Sequence, residues 1–221
     1  MPTVWTKICG VRDVTAATAV AELGPSAIGL NFYPKSPRCV DTTVAAEIVS
    51  QLPATTEAVG VFVNATAERV ADVVTQIGLH RIQLHGDEPP EFLAEIQRRC
   101  PQTPLIRAWR MSDTGLADLA SYLARCDDLG VTISACLVDA HVAGSYGGTG
   151  AVVQWELLRD SYRTDQWPPL VLAGGLRPGN VAAAIRAMQP WGVDVASGVE
   201  SAPGVKDLAL VEQFLAVARS Q

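Results

Sequence analysis

The stretch LVLAGGLRPGNVAAAIRAMQPWGVDVASGVE (170–200) holds two short apolar runs, LVLA (170–173) and VDVA (193–196). Each leads straight into a glycine turn, Gly174-Gly175-Leu176 and Ser197-Gly198-Val199-Glu200. An earlier instance is LVDA (137–140), followed by Gly147-Gly148-Thr149-Gly150. Gly175 lies 27 residues after Gly148, and Gly198 lies 23 after Gly175, the pitch of one strand plus one helix. The three turns therefore belong on one rim of a parallel sheet. Backbone N–H groups in glycine turns beside helix N-termini form an anion cradle, so a phosphorylated small molecule is the expected ligand.

The same alternation runs back to the N-terminus. Strand candidates are VWTKI (4–8), AIGLNF (27–32), AVGVFV (58–63), RIQL (81–84), LIRAW (105–109) and ACLVD (135–139), besides 170–173 and 193–196. Most are too continuously apolar for a half-exposed antiparallel strand and suit a sheet covered on both faces. Helical stripes lie between them: Val44, Ile48 and Leu52 behind an Asp41 cap, then Val70, Val73, Val74 and Ile77. Phe92 and Ile96 mark another, Asn180 is placed to cap VAAAIRAM, and Leu208, Val211 and Leu215 supply the last. Gly24-Pro25, Pro53, Gly78 and Gly130 punctuate helix ends.

Eight units in 221 residues average about 28 each, lean but above the roughly 200-residue floor of a (β/α)₈ barrel. A doubly wound open sheet would carry a glycine-rich fingerprint after its first strand, and Lys7-Ile8-Cys9-Gly10 is not one. The expected architecture is a single (β/α)₈ TIM barrel over residues 1–221. RDSYRTDQWPP (159–169) reads as a loose surface loop on the stability face.

A net charge of −6 lacks the basic face that a nucleic-acid partner requires. Cys9, Cys39, Cys100, Cys126 and Cys136 are odd in number and widely spaced, so they read as free thiols of a reducing compartment. No signal-peptide pattern and no 18-residue apolar run occurs, so a soluble, cytoplasmic chain with no membrane partner is expected.

Active sites of such barrels sit where strands end at the C-terminal mouth. Strand one brings Lys7 and Cys9 there, and Arg38 follows strand two. Strand three ends in Asn64, strand four in Gln83, His85 and Asp87, strand five in Arg107 and Arg110, and strand six in Asp139. Cys9, before a turn into a helix and near Lys7, is expected to have a lowered pKa and to act as base or nucleophile. Asp139 is set apart from the next helix by AHVAGSYGGTG, which favours a proton donor over a cap. Arg38 has a planar fork suited to a carboxylate if it faces the mouth. Asp194 reads as a structural salt bridge or loop anchor pointing away, and Cys136 as core. Glu88 reads as the opening of the fourth helix, and Trp109 as a flank of the mouth. His80, His85 and His141 lack metal-site spacing, so no metal is expected.

These blocks together resemble the phosphoribosylanthranilate isomerase family. The segments are KICGVRD (7–13), AIGLNFYPKSPRCV (27–40), VGVFVN (59–64) and IQLHGDE (82–88), then LVDA with SYGGTG (137–150), LAGGLRPGNV (172–181) and GVDVASGVESAPGVKD (192–207). The resemblance implies an Amadori rearrangement of N-(5-phosphoribosyl)anthranilate to 1-(2-carboxyphenylamino)-1-deoxyribulose 5-phosphate. It makes Cys9 the general base, Asp139 the general acid and Arg38 the holder of the anthranilate carboxylate. The phosphate falls on amides around Gly148, Gly175 and Gly198. No cofactor is implied, since the substrate's own nitrogen is the electron sink, and the chain is expected to work as a monomer or homodimer. Ala196 stands where the family often has serine, and Ala140 follows the acid, which touches only phosphate-loop detail.

Three other readings compete. A histidine-pathway phosphosugar isomerase resembles this fold but has an aspartate where Cys9 stands. A non-catalytic phosphosugar-binding module needs neither Cys9 nor Asp139. A cysteine hydrolase needs a histidine beside Cys9, for which only His85 is available and no orienting acid is evident.

Overall fold

The structure, a computed structural model, describes residues 4–111, 116–139 and 150–221. Eight parallel strands close into a barrel in chain order: β1 (Trp5–Cys9), β2 (Ala27–Asn31), β3 (Glu57–Phe62), β4 (Arg81–Leu84), β5 (Leu105–Arg110), β6 (Ile133–Asp139), β7 (Leu170–Ala173) and β8 (Gly192–Val195). Helices α1 (Val14–Glu22), α2 (Thr42–Gln51), α3 (Ala67–Ile77), α4 (Pro90–Arg99), α5 (Ala117–Asp128), α6 (Gly150–Ser161) and α7 (Val181–Met188) follow the first seven strands. After β8 come a 3₁₀ turn (Ser197–Val199), the hairpin β9 (Glu200–Ala202) and β10 (Val205–Lys206), then α8 (Leu208–Arg219). The expected barrel is the one observed, and the strands expected at 81–84 and 170–173 have those bounds.

Strand alternation divides the core. One face packs small residues inside the barrel, among them Ala27, Val59, Ala108, Ala135, Leu137 and Val171. The other packs Ile8, Ile28, Phe62, Leu84, Val138 and Leu172 outward against the helices. Both faces are apolar because both are covered, which is why the runs show so little polar alternation. At the N-terminal end Trp5 stacks on Trp191 at 5.1 Å between ring centres and donates from Nε1 to Glu57. Arg81 forks onto the same carboxylate at 2.7 and 2.9 Å.

Asp41 caps α2 by accepting from the Thr43 N–H, and Gly78 ends α3 in left-handed backbone, both as expected. Asn180 does not cap α7. Its Oδ1 accepts from the Arg177 N–H at 2.8 Å and its Nδ2 donates to the Gly175 carbonyl at 3.0 Å, so it staples the β7–α7 turn. Of the three helices for which no apolar stripe was named, α1, α5 and α6, the first two bury Ala17, Val20 and Ala21, and Leu119, Leu123 and Cys126. The alanines of α1 make a faint apolar stripe, while α5 carries a plain one at i, i+4 and i+7. Nor is 159–169 loose throughout: α6 continues to Ser161, and buried Tyr162 donates to the Pro168 carbonyl and meets Trp167 edge-on. Among the described residues no helix is long and apolar enough to cross a membrane.

Candidate active site

Trp5, Lys7 and Cys9 share the inner face of β1, in register with Gly192, Asp194, Ala27 and Gly29 on the neighbouring strands. Gly29 is what makes room for the thiol, since a Cβ there would stand 2.7 Å from Cys9 Sγ. Lys7 is fully buried, and its Nζ donates to Asp194 Oδ1 at 2.7 Å across the β1–β8 seam. Asp194 thus makes the expected salt bridge but points inward, contrary to expectation, because the odd positions of β1 and the even positions of β8 face the same interior. Burial opposes the Lys7 charge, yet Asp194 and the Cys9 thiol outweigh it and hold its pKa above the usual lysine value.

The Cys9 thiol moves the other way from the sequence expectation. Burial pushes its pKa up, against the pull of Lys7 and Lys206, with Asp194 adding to the rise. Helix α1 gives little help: it begins at Val14, four residues beyond Gly10, and its first turn is already capped by the Asp13 carboxylate, which accepts from the Ala16 N–H. Lys7 is therefore the chief group keeping a thiolate within reach. Lys7→Met is expected to displace the pH midpoint of Cys9 alkylation upward, read peptide by peptide in a mass spectrometer. A midpoint that stays put would mean the ammonium charge does not reach the sulfur.

Across the mouth, Asp139 ends β6 on the parity of the inward residues Ala135 and Leu137, paired in register with Arg110 and Ala173. β1 and β6 are separated around the ring by β8 and β7. His85 stands just beyond β4 and senses both sides of the opening. Burial lowers its pKa to about 4, with Lys7 and Arg110 reinforcing the shift and Asp194 and Asp139 opposing it. It is therefore neutral at pH 7, its Nδ1 lying 2.8 Å from Gln83 Nε2. The described groups that converge on the mouth are thus Cys9, Lys7, Asp194, His85, Arg110 and Asp139.

Arg107 reaches the edge of the same opening but is committed elsewhere. It lies on the outer face of β5, where Nη1 donates to Glu88 and the Leu84 carbonyl and Nη2 to the Gly86 carbonyl, with its guanidinium set against the paired rings of Trp109 and Tyr122. Glu88 does more than open α4. Buried, it accepts from the N–H groups of Asn64 and Gly86 and so ties together the loops after β3 and β4. Trp109 packs edge-on against Tyr122 and lines a cleft of about 560 Å³ at the mouth with Asn31, Asn64, His85 and Arg110. A slightly larger cleft, about 600 Å³, lies between α5 and the segment before β7. The titratable groups converge at the mouth, and that convergence, not volume, identifies the site.

Arg38 is half-buried beside the end of β1, and its Nε and Nη2 are engaged by Glu200 at 2.8 and 2.7 Å. That fork raises its pKa further. Gly174 and Gly175 take positive φ of 90° and 64°, backbone that favours glycine. Gly198 is pressed against the same turn, for a Cβ on it would stand 1.8 Å from the Leu176 carbonyl oxygen. The β7 and β8 turns therefore form one surface. Gly148 lies outside the described residues. Among those described there is no cluster of three or more His, Cys, Asp or Glu side chains able to hold a metal ion.

Comparison with known proteins places this geometry in context. A family model described as N-(5'phosphoribosyl)anthranilate (PRA) isomerase matches residues 6–217. The N-(5'-phosphoribosyl)anthranilate isomerase of Magnetococcus marinus is 44% identical over 214 residues, covering 96% of this chain and 94% of its own. The crystal structure of phosphoribosyl anthranilate isomerase from Thermotoga maritima superposes with a TM-score of 0.82 at 36% identity, covering 99% of this chain and all of the other. That bacterium's enzyme is described as dimeric. A phosphoribosyl anthranilate isomerase in complex with reduced 1-(o-carboxyphenylamino)-1-deoxyribulose 5-phosphate superposes with a TM-score of 0.77 at 33% identity, over 99% of this chain and all of the other.

Proposed function

Since the chain belongs to the N-(5'-phosphoribosyl)anthranilate isomerase family, we propose that its reaction is run by Cys9 as general base and Asp139 as general acid. It converts N-(5'-phosphoribosyl)anthranilate to 1-(2-carboxyphenylamino)-1-deoxyribulose 5-phosphate in tryptophan biosynthesis. The observation that supports the acid–base reading is that strand parity turns Cys9, at the end of β1, and Asp139, at the end of β6, toward the inside of one barrel mouth.

Asp139 protonates the ribose ring oxygen, and the C1–O bond breaks to leave an iminium between C1 and the anthranilate nitrogen. The Cys9 thiolate then takes the proton from C2, and the electron pair moves through C1 to the nitrogen. Tautomerisation of the enolamine delivers a proton to C1 and removes one from the C2 hydroxyl, giving the ketone. Protons balance over the cycle and no redox partner is consumed. Lys7, clamped by Asp194, supplies the positive charge that the thiolate needs in a buried setting. The phosphate rests on amides around Gly175 and Gly198, with Gly148 as a further member. Support for that cradle comes from the left-handed Gly174-Gly175 turn and the close contact of Gly198 with it.

Arg38 holds the anthranilate carboxylate. Arg38→Ala is expected to raise KM by roughly 10- to 150-fold with a smaller change in kcat, the effect of losing a charge-assisted bond of about 1.5–3 kcal/mol. The check is the fluorescence loss as substrate is consumed by the purified variant; an unaltered KM would assign the carboxylate to another group. The same reading treats the barrel as one domain, working in the cytoplasm as monomer or homodimer on a small phosphosugar. It needs neither a cofactor nor a nucleic-acid or membrane partner.

A further inference from the structure

Between β8 and α8 the chain leaves the barrel to form the antiparallel hairpin of β9 and β10, with Lys206 in register opposite Glu200. Hairpin side chains of this polarity normally face water. Here the Glu200 side chain is 3% exposed and that of Lys206 1%. A buried ion pair roughly breaks even with apolar packing, so stability alone does not account for it.

Its connections do. Glu200 Oε1 accepts from Lys206 Nζ at 2.8 Å and from Arg38 Nε at 2.8 Å, while Oε2 accepts from Arg38 Nη2 at 2.7 Å. Lys206 Nζ also donates to the Ala196 carbonyl at 3.0 Å, which anchors the hairpin to the end of β8. Arg38 arrives from the opposite side, on the β2–α2 connection. Its stem crosses Gly10, where φ is +80° and a Cβ would lie 2.5 Å from Arg38 Cδ. The arginine is thus guided at its stem by a glycine next to Cys9 and gripped at its fork by Glu200. A two-bond fork fixes the guanidinium plane as well as its position. Among the described residues Nη1 makes no hydrogen bond. With one carboxylate between two cations, the cluster carries a single net positive charge. Arg38, its side chain 23% exposed, is the member that solvent or a ligand can reach.

We infer that Glu200, braced by Lys206, is a positioning residue that presents the remaining corner of Arg38 to the carboxylate of the substrate. This rests on the reading of Arg38 given above. Glu200 bonds Arg38 and Lys206 rather than Cys9, so its loss acts first on recognition of the aryl carboxylate.

Two variants test it, because Glu200→Gln alone leaves a buried ammonium unpaired: Glu200→Gln, and Glu200→Gln with Lys206→Met. Each is measured for kcat and KM, and for inhibition by ribulose 5-phosphate, which carries the phosphate but no aryl carboxylate. Circular dichroism and thermal unfolding verify the fold. The expected result, in whichever variant folds, is a KM raised about 10-fold or more with the ribulose 5-phosphate inhibition constant little changed; kcat is compared on its alkaline plateau, where it is little changed, because loss of the Lys206 charge moves the pH at which Cys9 ionises. In an Arg38→Ala background, Glu200→Gln should add nothing further to KM. An unchanged KM in the folded Glu200 variants, while Arg38→Ala alone raises it, overturns the positioning role and leaves the Arg38 reading standing. So does an undiminished Glu200 effect once Arg38 is gone, or an equal loss of ribulose 5-phosphate affinity. If Arg38→Ala itself leaves KM unaltered, the carboxylate reading fails and the inference falls with it.

Discussion

Cys9→Ala is expected to lower kcat by at least about 10²-fold while the affinity for ribulose 5-phosphate is retained. The methyl group occupies part of the space that Gly29 leaves for the thiol, so packing around β1 has little cause to change. What disappears is the acceptor for the C2 proton. No neighbour replaces it readily: Lys7 is committed to Asp194 and held protonated, and His85, though neutral, stands at the end of another strand. The fluorescence assay that follows loss of the anthranilate substrate measures the effect. Near-normal turnover by this variant would end the assignment of the base. The pH profile of the parent protein carries the same information, because a thiol pushed upward by burial must ionise to work. Activity should therefore climb with pH on the alkaline side of neutrality and show no plateau at pH 6.

Asp139→Asn is expected to cost at least about 10²-fold in kcat as well. The amide preserves the size and planarity of the side chain, and the strand end is held by a backbone bond from the Met111 N–H to the Asp139 carbonyl, which the change does not touch. An asparagine cannot hand a proton to the ring oxygen, so ring opening becomes the slow step. A substrate already open at C1 would bypass that step, and the variant should treat it nearly as the parent does. Full turnover of the closed substrate by Asp139→Asn would move the acid role to another group.

The barrel was legible in the sequence because its strands are covered on both faces, and a continuous apolar run as short as LVLA at 170–173 suits a buried parallel strand far better than an amphipathic helix. The strand ends named the mouth for a similar reason: Cys9 and Asp139 close such runs. Several features escaped. Helix α1 buries Ala17, Val20 and Ala21, a stripe mostly of alanine that carries little periodic signal, whereas the Leu119, Leu123 and Cys126 stripe of α5 was there to be read. The hairpin residues Glu200 and Lys206 have the look of a polar loop, since their partner Arg38 is 162 residues from Glu200 along the chain and only closure of the barrel brings it near. The sign of the Cys9 shift was hidden because adjacency to Lys7 is visible in a sequence whereas desolvation is not. Strand parity would have shown Asp194 facing inward, had β8 been registered against β1.

The contact between Lys7 and Asp194 joins the first and last strands of the ring, 187 residues apart. A chain emerging from the ribosome must carry that ammonium through the formation of seven strands before its counter-ion exists. Stranding one member of a buried pair costs about 3–5 kcal/mol, a large part of the stability of an ordinary domain. Burial of Lys7 is therefore tolerable only once β8 brings its carboxylate, which couples closure of the ring to that strand. The charge beside Cys9 thereby also ties the first strand of the barrel to the presence of the last.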